Sequence, residues 1–180
     1  MYSVSTPPGL VSVRDNVSEA SGLSVPVLND NITATIYYPS EGTTAGGDGL
    51  LQDQVRIAFN VLAVRLAEEL MAEYLRRLPT ALRDTRLMAV YRDRDNILYV
   101  DLSDDFRKGF SGDARQEYNL LNSLYKTLTS AIPGITDVKL LLEGREVETL
   151  GGHFMILNPL GSLLSSQRPS PPVQTPGLQP

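Results

Sequence analysis

Apolar residues along the chain fall into blocks with two different spacings. From Thr33 to Tyr38 (TATIYY), β-branched and aromatic residues run together up to Pro39, which predicts a strand with a stop. From Leu50 to Leu78 the spacing becomes helical, with apolar residues at Val55, Phe59, Leu62, Leu66, Leu70, Tyr74 and Leu78. Arg65, Glu68, Glu69, Glu73, Arg76 and Arg77 fill the other face, so the pattern predicts one long amphipathic helix ended by Pro79. Asp48 or Asp53 would sit at its positive end and Arg76-Arg77 at its negative end. Thr85–Tyr91 and Asn96–Ser103 return to strand character, and the polar joint Arg92–Asn96 makes them a hairpin. A second helix is predicted from Ala114 to Ile132, with the stripe Leu120, Leu121, Leu124, Tyr125, Leu128 and Ile132. Asp113 and Gln116 form a capping-box pair at its start, and Pro133-Gly134 ends it. The branched run Val138–Leu142, cut by Glu143-Gly144, predicts a buried strand with a short return strand, Glu146–Leu150.

The predicted order is therefore β-α-β-β-α-β. Each amphipathic helix has one apolar side, so both pack on one small mixed sheet as a two-layer α+β sandwich. Three segments follow: an extended or poorly ordered arm at 1–32, a folded domain at 33–157, and a Pro/Ser-rich tail at 158–180. Half of the 12 prolines fall at or after Pro159, which places the tail there.

Composition narrows the chemistry. A net charge of −5 argues against a nucleic-acid backbone or an anionic membrane surface as the main partner. The absence of cysteine removes disulfides, thiolate nucleophiles and Cys-ligated metals. No window approaches the roughly 20 apolar residues that span a bilayer, and Met1–Leu10 has no basic-then-apolar export signal. The Gly46-Gly47-Asp48-Gly49 loop lacks the Lys-Ser/Thr of a phosphate-binding loop and reads as a connector. Asp93, Asp95 and Asn96 lack the further ligands, Gly and distal Glu of a calcium loop. Arg107-Lys108-Gly109-Phe110 leads into a helix start, so it is not an RNA-reading strand. No cofactor or metal is expected. Asp101, Asp104 and Asp105 form an acidic cluster whose ordinary role is turn and cap, and whose alternative is acid–base chemistry. His153, the single histidine, stands beside a Gly-Gly turn with no nucleophile near it in sequence, which favours a structural role.

Four ordered segments resemble the GerM domain, the sporulation and spore-germination domain. They are Ala34–Pro39, Leu98–Ser103, Asn122–Thr129, and a closing signature made of Val138–Gly144 and Val147–His153. The hairpin turn has Asp95-Asn96 where the family favours Gly. The resemblance implies a non-enzymatic, extracytoplasmic module of the bacterial envelope, with a fold similar to ring-building modules that assemble through sheet and helix surfaces. It also implies attachment through an N-terminal anchor outside this chain, and partners that are other envelope proteins or a further copy of itself. The expected partner surface joins the sheet edge to the charged helix face with Arg65, Glu69, Glu73, Arg76 and Arg77. The rival reading is a protein that binds or hydrolyses cell-wall glycan or peptide through Asp101, Asp104 and Asp105, with His153 as a helper.

Overall fold

A computed structural model describes residues 31–40, 49–58 and 62–166. The expected arm up to residue 30, the Gly-rich segment 41–48 and the chain from 167 onward lie outside the described residues.

The architecture is α+β, with helices packed on small sheets. Strand β1 (Asn31–Pro39) pairs antiparallel with β2 (Leu50–Ala58) as a two-stranded ribbon. A second, mixed sheet has the order β3-β4-β5, from Leu87–Arg92, Ile97–Leu102 and Asp137–Leu142. The β3–β4 pair is the expected antiparallel hairpin, and β5 runs parallel to β4. Helix α1 (Ala63–Leu75) follows the ribbon. The crossover from β4 to β5 carries a short α2 (Asp105–Lys108) and the long α3 (Ala114–Ala131). A last helix, α4 (Leu160–Ser166), packs on α3 and β5.

The inner faces of β4 and β5 meet rung by rung. Leu98 lies opposite Val138, Val100 opposite Leu140, and Leu102 opposite Leu142, and all six are buried. Helix α3 packs on β1 and β5 and buries Leu120, Leu121, Leu124 and Leu128. Each such side chain contributes roughly 1.5–3 kcal/mol of burial. Helix α3 starts where the capping box placed it: Asp113 accepts from the Gln116 amide, and the Gln116 side chain accepts from the Asp113 amide. Tyr74 of α1 reaches across to α3, donating to the Leu120 carbonyl and meeting Ser123 Oγ at 2.9 Å.

Thr127, near the C-terminal end of α3, caps the β1 edge of the ribbon at Tyr37. Its Oγ1 accepts from the Tyr37 amide at 2.9 Å and donates to the Tyr37 carbonyl at 3.1 Å.

Three expectations need correction. The single helix over Leu50–Leu78 is two elements: β2 occupies Leu50–Ala58, and the helix begins at Ala63 and ends at Leu75. Strand spacing wins because Ala34, Ile36 and Tyr38 offer β2 a partner that can shelter Val55 and Ile57. The Gly-rich stretch therefore joins strand to strand, and Asp53 lies on a strand instead of at a helix start. It bonds Arg77 at the opposite end of α1. Second, no return strand forms over Glu146–Leu150. The Leu142–Arg145 bridge closes a two-residue turn with Glu143 at φ 51° and Gly144 at φ 72°, and the chain then leaves the sheet. Third, the fold continues past Leu157, because α4 buries Leu160 and Leu164.

Candidate interaction surface

The five residues expected to meet a partner all lie on or just after α1, and most of their charge is already paired. Arg65 meets Glu68 at 2.8 Å, and Arg76 meets Glu73. Arg77 is the most committed: it reaches Glu73 at 2.8 Å and Asp53 at 3.0 Å, fastening α1 to β2. Partial burial lowers its pKa, but the two carboxylates outweigh this, and it lies above its ordinary value. Asp53 also bonds Tyr38, whose hydroxyl is pushed up by burial first and by this carboxylate second. Arg65, Glu69 and Arg76 are exposed, whereas Glu73 and Arg77 are half-buried. The outward part of the surface is thus a mixed-charge face, and its inner margin is a structural clamp.

The acidic cluster does not converge. Asp101 is buried and accepts the Gly144 amide at 2.9 Å, which pins the β5 turn. Asp104 pairs with Arg107 at 2.8 Å and Lys108 at 3.3 Å, while Asp105 accepts from Ser103 Oγ at 3.0 Å. Of the three, Asp104 alone lines the groove of about 350 Å³ between α2 and the β5 turn, with Arg107, Lys108, Glu143, Arg145 and Glu146. A larger groove, of about 430 Å³, is lined by Pro39, Leu82, Phe110, Gln116 and Asn119 among others, and by none of the expected site residues.

The group that sequence reading missed is Glu117. It is fully buried, and its carboxylate collects four donors. The amides of Leu150 and Gly151 reach Oε1 at 3.3 and 3.0 Å. The His153 amide reaches Oε2 at 3.0 Å, and His153 Nδ1 lies 2.7 Å from the same oxygen. His153 is therefore structural, as expected, and its partner is a carboxylate on α3. A sequence signal exists: Glu117 lies three and four residues before Leu120 and Leu121, on the helix's apolar stripe. A charge there needs buried partners. Lys139 is a parallel case, almost fully buried on the outer sheet face with Nζ 3.1 Å from Glu146 Oε1.

Among the described residues, no cluster of three or more Asp, Glu or His could hold a metal ion. None of the described helices is long and apolar enough to cross a membrane.

These features define an α+β module whose closing loop, with its Gly-Gly-His, is bound to the central helix by one buried carboxylate. The family model described as sporulation and spore germination, Germane, matches residues 35–148, and the chain belongs to that family. Two solved structures are similar. One is a protein of Clostridium perfringens described provisionally as a lipoprotein, 23% identical, with a TM-score of 0.48 over 73% of this chain and 88% of that one. The other is the tandem GerMN domains of the sporulation protein GerM from Bacillus subtilis, 19% identical, with a TM-score of 0.49 over 72% of this chain. This chain spans 45% of that tandem. No curated protein matches the chain.

Proposed function

We propose that the chain is a non-catalytic docking module of the bacterial envelope, serving sporulation or germination through contacts with other proteins. The observation that carries this reading is how the candidate catalytic groups are used. Asp101, Asp104, Asp105 and His153 each hold a turn, a helix end or a loop. A general acid or nucleophile works beside further groups that converge on one substrate, and these four are instead bonded to separate turns, helix ends and loops. Family membership supplies the biological setting.

The module works outside the cytoplasm, held at the membrane by a segment that precedes this chain. Its partner surface is the outward part of α1, with Arg65, Glu69 and Arg76. Arg77 and Glu73 border it but belong to the clamp on β2.

The test is a pull-down from an envelope extract. Wild type is compared with the triple reversal Arg65→Glu, Glu69→Lys, Arg76→Glu, which leaves the clamp untouched. Loss of specific partners from a variant with an unchanged melting curve supports the surface. An identical partner set removes it. A reporter fused to the native protein, active only outside the cytoplasm, tests the compartment.

A further inference from the structure

The β1–β2 ribbon is capped at one point of its β1 edge, and its β2 edge is open over three outward residues. Tyr37 gives both its backbone groups to Thr127, and Ser40 donates to Gly49 across the ribbon at 3.1 Å. In an antiparallel pair, residues alternate between bonding across the ribbon and bonding away from it. Odd-numbered β1 residues therefore turn outward, and in β2 the even-numbered residues do so. The N–H and C=O groups of Gln52, Gln54 and Arg56 thus point away from β1, and they have no hydrogen-bond partner among the described residues. The strand is nine residues long, and no proline or lysine protects its edge. Beside that edge Leu51 is 46% exposed, on the same face as Val55 and Ile57.

We propose that β2 pairs antiparallel with β2 of a second copy of this chain, joining two ribbons into one four-stranded sheet. Its charge pattern selects the register. A two-fold axis at Asp53 would set two carboxylates face to face, and one at Arg56 would do the same with two guanidinium groups. Like charges directly opposite destabilise a sheet. An axis at Gln54 avoids both, and it alone pairs all nine residues from Leu50 to Ala58. Gln54 then meets its own copy, Gln52 meets Arg56, and exposed Leu51 meets Ile57. This surface is separate from the outward face of α1, so its failure leaves the docking reading standing.

The chain has no cysteine, so a single introduced thiol reports the contact. Facing residues of a hydrogen-bonded pair have Cα atoms about 5.5 Å apart, within disulfide range. Gln54→Cys is expected to cross-link to a dimer under mild oxidation. Arg56→Cys, about four residues out of register with its own copy, is expected to remain monomeric. Sedimentation of the untagged protein is expected to show a concentration-dependent dimer. Gln54→Pro removes an outward N–H without touching the β1 pairing, and is expected to raise the dimer Kd roughly tenfold or more at unchanged fold. Gln52→Glu, which faces Arg56 of the second copy, is expected to lower Kd at low salt by about twofold to fivefold. A monomer up to millimolar concentration, a dimer indifferent to Gln54→Pro, or equal cross-linking at both thiols would overturn the proposal.

Discussion

Replacing Glu117 with Gln tests the most consequential polar contact in the fold. The carboxylate accepts from two donors at Oε1 and two at Oε2, with no exposure to water. An amide keeps one acceptor oxygen. Whichever way it turns, its NH₂ group faces two of those four donors, either the Leu150 and Gly151 amides or the two nitrogens of His153. Each buried donor left without an acceptor costs about 1–3 kcal/mol, so the loss lies between about 2 and 6 kcal/mol. Removing a buried charge recovers part of its desolvation, which pulls the figure to about 3 kcal/mol. A folded unit of this size loses about 3–5 °C of Tm per kcal/mol, so the drop is roughly 10 °C. Urea denaturation should show a lower midpoint at unchanged slope, because the buried surface is the same. Hydrogen exchange localises the effect, with the Leu150, Gly151 and His153 amides losing protection first. His153→Ala is the control, since it leaves three amides on the carboxylate and costs about 1 kcal/mol. A Glu117→Gln protein that melts within about 2 °C of wild type, with the Gly151 and His153 amides still protected, would show that the carboxylate does not hold the loop.

Three further outcomes follow from other parts of the structure. Burial pushes the Tyr74 phenol well above its usual value, so its neutral form stabilises the fold fully below about pH 10 and that contribution is lost as pH rises beyond it. Absorbance titration should show one of the eight tyrosines ionising only with unfolding, and a tyrosine count that completes before the near-UV circular dichroism changes would contradict this. A Cβ on Gly109 would lie 2.1 Å from the Ala81 carbonyl oxygen, which is backbone and cannot rotate away, so Gly109→Ala is expected to lower Tm by at least roughly 5 °C; a neutral result in a melt argues that the 3₁₀ turn Thr80–Leu82 can move. Arg65→Ala should be silent within about 0.5 kcal/mol by denaturant titration, whereas Glu73→Ala, which removes one of the two carboxylates on half-buried Arg77, should cost about 1 kcal/mol, and equal losses would mean that the Glu73 arm of the clamp carries no stability.

Local signals were readable wherever a few neighbouring residues decide the outcome. The capping box at Asp113, the polar joint of the β3–β4 hairpin and the apolar run of β5 each carry their own cue. Asn96 shows how close that reading came: it takes φ 64°, the left-handed turn position where the family favours Gly. Strand β2 was hidden because Val55 lies in phase with Phe59 and Leu62 and continues the α1 stripe backwards. Only pairing with β1, across a long loop, reveals the alternation of Val55 and Ile57. The same distance effect hid Glu117, whose donors lie more than thirty residues away. Helix α4 was concealed by composition: Leu160, Leu163 and Leu164 stand among Ser, Gly and Pro, yet two of them fill the seam beside β5. Of the expected partner surface, the positions on one helix face were legible, but the commitment of Arg77 to Asp53 was not, since Asp53 was assigned to the wrong element.

The Thr127 hydroxyl has a consequence for assembly size. By occupying both backbone groups of Tyr37, it plugs the far side of the ribbon with a side chain from the ribbon's own molecule. If β2 pairs with a second copy as proposed, this cap opposes the addition of a further strand beside β1. Thr127→Val, nearly the same shape but without the hydroxyl, would unplug that side, and the sheet could then be extended from either margin, turning a finite pair into the seed of a filament.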